Sequence, residues 1–186
     1  VEVPAMITIA MGLRRGEVLG LRWEDVDLDT GEMNIINNRV RKATGVLDKT
    51  TKTESSTRIL VMPEVLIKYL KKIHANQGIN KWTFANEYNK NNYICCTKDG
   101  KPLGVTYVSK VFKYLIDKSG LPKIRFHDLR HSNATFLLNQ GVSLKELQDW
   151  LGHSTINVTA NIYAHTDLEN KKRIAAKSNM MFENEY

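Results

Sequence analysis

Short apolar runs alternate with polar segments along the first third of the chain. Val1–Met11 is apolar, Gly12 interrupts it, and a short helix is predicted to follow. The segments EMNIINNRVRK (32–42) and TRILVMP (57–63) are rich in β-branched and apolar residues, which predicts two strands of a hairpin or small sheet. The segment between them, ATGVLDKTTKTESS (43–56), is too polar to be buried.

Helical periodicity dominates the rest of the chain. Proline suits the first helical position, so a helix is predicted to begin at Pro63 and to carry the apolar residues Leu66, Tyr69, Leu70 and Ile73. The stretch up to about Lys101 is predicted to be loop-like, with a short strand at 93–96. A second helix ends at Gly120 and carries Val108, Val111, Phe112 and Leu115.

The segment HDLRH (127–131) opens a further helix, which is predicted to end near Gly141. Leu129 and Phe136 are expected to anchor this helix in a core. Together with the strands above, these helices predict a fold that is mostly α with a small antiparallel β-sheet, an α+β class.

Two capping boxes, each a Ser or Thr followed three residues later by Glu, mark the starts of helices near the C-terminus. They are formed by Ser143 with Glu146 and by Thr166 with Glu169. Between them, one helical face carries Ile156, Ala160 and Tyr163. The last helix is basic.

Charge narrows the class of partner. The chain has 186 residues with 27 Lys and Arg against 20 Asp and Glu, a formal net charge of +7, which favours a polyanion such as nucleic acid. Cys95 and Cys96 are adjacent and are the only cysteines, so a disulfide framework is excluded and a reducing compartment is expected. No apolar run reaches membrane-spanning length and no signal peptide opens the chain.

Basic residues also cluster where a helix does not favour them. The segment RFHDLRHSNATFLLNQG (125–141) begins with a helical turn that contains three basic side chains, those of His127, Arg130 and His131. The positive end of the helix dipole lies there, so a bound phosphate or carboxylate would compensate for this arrangement. In GLRRGE, Arg14 and Arg15 lie at a helix junction beside an apolar run, where an arginine must be paired or must bind something.

Three segments together resemble one known family. MGLRRGEVLGLRWEDVDL (11–28), TKTESSTRILVMP (51–63) and FHDLRHSNATFLLNQGVSLKELQDWLGHSTINVTANIYAH (126–165) resemble the tyrosine recombinases, also called phage-integrase-type recombinases. The likeness runs from about Arg14 to His165 and includes motif order, spacing and apolar positions. The sequence of these segments is most similar to that of integrases of phages or of integrative and conjugative elements of low-GC bacteria.

The resemblance implies a reaction and a set of catalytic residues. The family cleaves a DNA strand with a tyrosine hydroxyl, forms a 3′-phosphotyrosyl bond, releases a 5′-hydroxyl and then joins a different strand. The matching positions are Arg14, Lys52, His127, Arg130, His153 and the nucleophile Tyr163. Lys49 is an alternative to Lys52, because both lie in the same polar segment.

The chemistry of these residue types fits the implied roles. Two guanidiniums can stabilise the negative charge of a pentavalent phosphate transition state. Metal ions supply this stabilisation in many nucleases. Neither a metal nor another cofactor is therefore expected here. Tyrosine has a pKa of about 10 and needs a base, for which His127 is the candidate. Lys52 would protonate the leaving oxygen, and His153 would donate a hydrogen bond to the phosphate. The covalent intermediate conserves the bond energy, so no ATP is needed.

Neighbouring polar residues are assigned less specific roles. Arg15 and His131 are expected to contact the DNA backbone or to support the catalytic groups. Glu17 and Asp128 are expected to orient their neighbours. His127 and His131 have the spacing of metal ligands, but no further ligand nearby completes a zinc site.

The resemblance also implies domain organisation and partners. Residues 1–186 are expected to be a single catalytic domain, an N-terminally truncated fragment without the core-binding and arm-binding domains. Residues 167–186 are expected to form a helix or tail that docks on a neighbouring protomer or packs in cis. The expected partners are double-stranded DNA sites, further copies in a tetrameric synapse, and accessory excision or DNA-bending proteins. No membrane partner is expected, and the location is the bacterial cytoplasm, on DNA.

Three other classes of function compete with this interpretation. A DNA-binding fold that has lost catalysis is disfavoured by the complete set Arg14, His127, Arg130, His153 and Tyr163. A relaxing enzyme similar to type IB topoisomerases would share the chemistry, but the spacing from LGHS to the tyrosine favours a recombinase. An RNA-binding module is disfavoured because nothing resembles an aromatic stacking surface.

Overall fold

A computed structural model describes residues 1–42, 45–50 and 57–152, and it describes side chains for 1–40 and 57–152. The chain divides into two compact units, Val1–Asn133 and Ala134–Tyr186. No helix in the described ranges is long and apolar enough to cross a membrane.

The first unit begins with two helices that meet at a left-handed glycine. Helix α1 spans Glu2–Met11 and ends at Gly12, whose φ of 66° is accessible to glycine at little cost. The Gly12 N–H donates to the carbonyl oxygen of Thr8 at 2.8 Å, which closes the last turn. Helix α2 then spans Arg15–Gly20, and a 3₁₀ turn spans Trp23–Asp25. The predicted break at Gly12 is confirmed.

The strands form two separate antiparallel pairs. Strand β1 (Glu32–Ile35) pairs with β4 (Arg58–Val61), so that Ile35 lies opposite Arg58. Strand β2 (Asn37–Lys42) pairs with β3 (Gly45–Thr50). The predicted strand 32–42 is therefore divided at Ile36. Strand β3 lies in the polar segment, where no strand was predicted, because backbone pairing with β2 does not require apolar side chains.

Helix α3 spans Glu64–Phe84, with Pro63 as its N-cap. It continues well beyond Ile73, so the prediction of a loop there was wrong. The apolar residues that predict a helix stop near Ile73 because the buried residues of α3 are Leu66 and Leu70, both in its first half. Its second half is mostly exposed, and Trp82 there is 86% exposed. A 3₁₀ turn at Ala85–Glu87 follows. Segment 93–96 forms only isolated bridges, from Arg22 to Tyr93 and from Cys96 to Pro102.

Two further helices, α4 and α5, follow the turn at 85–87. Helix α4 spans Val105–Ser119 and ends at Gly120 as predicted, with a φ of 71°. Helix α5 spans Asp128–Asn139 and begins one residue after His127. Phe136 is 61% exposed, so the prediction that it anchors α5 in a core was wrong. Packed side chains around the first two helices and α3 include Ile7, Met11, Leu13, Leu19, Leu66 and Leu70.

The second unit has its own small core. Helix α6 spans Leu144–Leu151, and its core residues Leu147 and Leu151 cluster with Ala134 and Leu138. The predicted capping box is confirmed, since the Ser143 N–H donates to Glu146 Oε2 at 2.8 Å and the Glu146 N–H donates to Ser143 Oγ at 3.2 Å. The helices predicted around Tyr163 and after Thr166 lie outside the described residues.

Candidate active site

A buried carboxylate gathers arginines from three parts of the chain. Glu17 on α2 is 2% exposed. Its oxygens lie 2.8 Å from Arg14 Nη1, 3.2 Å from Arg58 Nη2 and 4.0 Å from Arg130 Nη1. Because a buried charge is stable only when it is paired and hydrogen-bonded, these contacts are what allows Glu17 to be buried in ionised form.

Local sequence positions Arg14 on this carboxylate. Arg14 is the N-cap of α2 and Glu17 is three residues later, so the Arg14 N–H donates to Glu17 Oε2 while Arg14 Nη1 donates to Oε1, both at 2.8 Å. The side chain of Arg14 is 37% exposed. The predicted role of Glu17, to orient its neighbour, is consistent with these two contacts.

Arg130 reaches the same cluster from α5. Its side chain is 3% exposed, and Nη1 donates to the carbonyl oxygen of Gly12 at 2.6 Å. Burial, followed by repulsion from Arg14, lowers the pKa of Arg130 to about 9, which still leaves it charged at neutral pH. An anion bound here would offset both effects, since a nearby negative charge favours the charged form of a guanidinium.

Arg58 belongs to the cluster although it was not predicted. Its fork spans Glu17, with Nη1 3.4 Å from Oε1 and Nη2 3.2 Å from Oε2. The sequence carried a usable signal, because side chains two apart on a strand share a face. Arg58 therefore lies on the same face as Leu60, which is buried, whereas Ile59 and Val61 are exposed.

His127 lies at the start of α5, next to a groove of about 480 Å³ in the first unit. The groove brings His127 and Arg14 together, along with Arg15, Asn38 and Arg39. Arg39 is a second basic residue that sequence reasoning missed there. The His127 ring packs edge-on against His131, with centroids 4.8 Å apart. Partial burial, His131 and Arg130 lower the pKa of His127, which favours the neutral imidazole that a base requires.

The remaining predicted residues are placed as follows. Arg15 donates a hydrogen bond to Ser109 Oγ. Asp128 pairs with Arg125 Nη2 at 2.9 Å. Lys52, His153 and Tyr163 lie outside the described residues, as does the side chain of Lys49. Among the described residues, no group of three His, Cys, Asp or Glu could hold a metal ion.

Residues 3–170 match the family described as the phage integrase family. The chain belongs to the phage integrase family. This confirms the resemblance seen in the sequence. The matched range covers Arg14, Arg58, His127 and Arg130, and also Lys52, His153 and Tyr163.

Curated relatives within this family include recombinases and integrases. The chain is 31% identical over 190 residues to a tyrosine recombinase XerC-like protein of Caldanaerobacter subterraneus, covering 95% of this chain and 48% of the relative. It is 29% identical over 171 residues to the ICEBs1 integrase of Bacillus subtilis, covering 92% of this chain and 46% of the relative. The chain thus spans about half the length of the curated relatives it matches.

Solved structures share the fold. The Tn1549 transposon integrase in complex with transposon right end DNA superimposes with a TM-score of 0.79 at 24% identity, covering 93% of this chain and 57% of that one. The XerA recombinase gives a TM-score of 0.68 at 24% identity, covering 94% and 57%. The phage integrase family chain thus has the mostly helical fold with a small antiparallel sheet that its sequence predicted.

Proposed function

We propose that this chain is the catalytic domain of a site-specific DNA recombinase that integrates or excises a mobile element. The observation that carries the proposal is the arginine cluster on Glu17, with Arg14 Nη1 at 2.8 Å and Arg130 Nη1 at 4.0 Å from its oxygens. Two guanidiniums held together by one carboxylate retain a net positive charge. A phosphodiester in the adjoining groove would supply the anion that this charge attracts.

The proposed reaction assigns a proton and a bond to each group. The Tyr163 oxygen attacks the phosphorus while its proton passes to His127. The bond to the 5′-oxygen breaks, and Lys52, or alternatively Lys49, protonates that oxygen. Arg14 and Arg130 stabilise the charge on the non-bridging oxygens, with a hydrogen bond from His153. Attack by the 5′-hydroxyl of another strand reverses these steps and releases Tyr163.

Neither a metal ion nor ATP has a role in this scheme. The arginines supply the positive charge that phosphoryl transfer needs, and removal of one such donor typically costs about 10²–10³-fold in rate. The phosphotyrosyl bond conserves the energy of the cleaved phosphodiester. Binding to DNA through phosphate contacts should weaken steeply as salt rises.

The assembly in which the chain works is also part of the proposal. Residues 1–186 act as one catalytic domain, and residues 167–186 dock on a neighbouring protomer or pack in cis. The curated relatives are about twice as long, as the 48% coverage of the XerC-like protein indicates. A tetrameric synapse on two DNA sites and accessory excision or DNA-bending proteins complete the proposed system.

Covalent trapping tests the proposal directly. Nicked duplexes are made from the DNA that flanks the gene, because integrase genes commonly lie beside their site. The protein and its Tyr163→Phe variant are incubated with them in EDTA and separated on a denaturing gel. A shifted protein–DNA band that the variant lacks would establish the chemistry and the nucleophile.

Three results would contradict the proposal. A band that persists in Tyr163→Phe would assign the nucleophile to another residue. The experiment is repeated with the full-length protein if this chain gives no band. A lack of any band in both experiments would favour a DNA-binding fold without catalysis. Relaxation of supercoiled DNA without sequence preference would favour the topoisomerase-like alternative.

A further inference from the structure

Arg58 is the cation of the cluster that comes from a strand. It is the first residue of β4, and its guanidinium contacts both Glu17 oxygens at 3.2 and 3.4 Å. The Arg58 side chain is 9% exposed, and both of its terminal nitrogens lie against the Glu17 carboxylate. Arg58 is therefore placed to act on Glu17, the carboxylate that Arg14 and Arg130 share.

The two Glu17 oxygens are each shared between Arg14 and Arg58. Oε1 accepts from Arg14 Nη1 and from Arg58 Nη1, while Oε2 accepts from the Arg14 N–H and from Arg58 Nη2. With both oxygens bound on both sides, the carboxylate has little rotational freedom. The orientation of the Arg14 guanidinium is consequently tied to the position of Arg58.

Electrostatics connect the same residues. Burial acts to raise the pKa of Glu17, but the charge and hydrogen bonds of Arg58, followed by those of Arg14, outweigh it and hold the pKa below its ordinary value. Without Arg58, the contacts of Glu17 with Arg14 and with the more distant Arg130 would remain to offset the effect of burial. The carboxylate would then protonate more readily and would hold Arg14 less firmly.

We propose that Arg58 is a positioning residue for strand cleavage, which fixes the Glu17 carboxylate and through it presents Arg14 beside Arg130 to the scissile phosphate. This inference rests on the proposed recombinase function. A lysine at this position would supply charge but not the planar fork that spans two carboxylate oxygens. The position thus requires arginine for its geometry as well as for its charge.

A double-mutant cycle tests this role by single-turnover cleavage of the nicked duplexes described above, at saturating protein. We expect Arg58→Met to slow cleavage by roughly 10²-fold with little change in DNA affinity, since small displacements of a catalytic group cost this much. Arg58→Lys should cleave faster than Arg58→Met but more slowly than the wild type, because lysine supplies the charge without the bidentate fork. The double variant Glu17→Gln/Arg58→Met should be no slower than Glu17→Gln alone, because Arg58 acts through Glu17.

A matched control and a folding check accompany the cycle. Arg22 also pairs with a carboxylate, that of Glu24 at 3.2 Å, but lies outside the cluster, so Arg22→Met should cleave at the wild-type rate. The double variant Glu17→Gln/Arg58→Met replaces both members of a buried ion pair with neutral groups. Its rate therefore shows whether a single variant is slow because an unpaired buried charge unfolds the protein. Rates that multiply across the two single variants, or an Arg58→Met variant as fast as wild type, would overturn the inference.

A readout without DNA separates this inference from the proposed function. The Glu17 carboxyl carbon is titrated by NMR in the wild type and in Arg58→Met, with Glu17→Gln for assignment. The pKa of Glu17 should rise in Arg58→Met, and an unchanged pKa would overturn the inference even if the wild type cleaves DNA. If the wild type cleaves no DNA while the pKa rises as expected, the recombinase function fails, and with it the role of Arg58 in cleavage.

Discussion

Arg130 Nη1 donates a hydrogen bond of 2.6 Å to the carbonyl oxygen of Gly12. The acceptor belongs to the left-handed residue that ends α1, two residues before Arg14. The bond therefore ties the two arginines of the proposed phosphate site to one short piece of backbone. A guanidinium has donors in a rigid fork, which lets Arg130 keep this anchor while it binds a second acceptor.

Arg130→Lys should separate charge from geometry. A single ammonium cannot hold Gly12 and a phosphate in the same arrangement, so we expect strand cleavage to fall by about 10²–10³-fold. DNA affinity should change much less, because the positive charge remains. Single-turnover cleavage and filter binding measure the two effects. A cleavage rate close to wild type would remove Arg130 from the phosphate site.

Glu17→Ala should destabilise the first unit strongly. It leaves the buried guanidiniums of Arg58 and Arg130 without their common carboxylate, and such a broken buried pair typically costs about 3–5 kcal/mol. The control is Glu24→Ala, whose partner Arg22 lies 3.2 Å away and whose own side chain is 60% exposed. Exposed pairs contribute about 0–1 kcal/mol, so equal losses in urea unfolding would contradict the prediction.

Gly16→Ala tests the close approach of α2 to β2. A Cβ at Gly16 would lie 2.1 Å from Asn38 Oδ1 and 2.7 Å from the carbonyl oxygen of Arg39, so backbone must move. We expect a loss of about 1–3 kcal/mol, as for other overpacked sites. Gly78→Ala in α3 is the control, because nothing lies within 4 Å of its added Cβ. It should stabilise by about 0.5–1 kcal/mol in the same thermal or urea unfolding experiment.

The pKa of His127 should respond to His131. Partial burial, His131 and Arg130 lower it, whereas Asp128 acts in the opposite direction. A base must be neutral, so the acid limb of wild-type cleavage should lie below pH 6.5, the ordinary value for this side chain. In His131→Gln, the pKa should rise and the acid limb should move to higher pH. NMR titration of the His127 ring measures this shift, and a pKa that stays constant or falls would refute the prediction.

Local signals were sufficient for much of the fold. The glycine ends of α1 and α4 and the capping box of α6 follow from residues close in sequence. These features depend on backbone conformation and on side chains within one or two turns. The same holds for the contact between Arg14 and Glu17, which are three residues apart.

Other features were decided only by packing between distant segments. The apolar pattern of α3 ends long before the helix does, and Phe136 turned out to be exposed. The sequence by itself determined the family, the fold class and the candidate catalytic residues, because those reside in local motifs and their order. Only the tertiary structure brought Arg58, Arg130 and Glu17 together, since the contact of Arg130 with Gly12 spans 118 residues and no local pattern encodes such a distance.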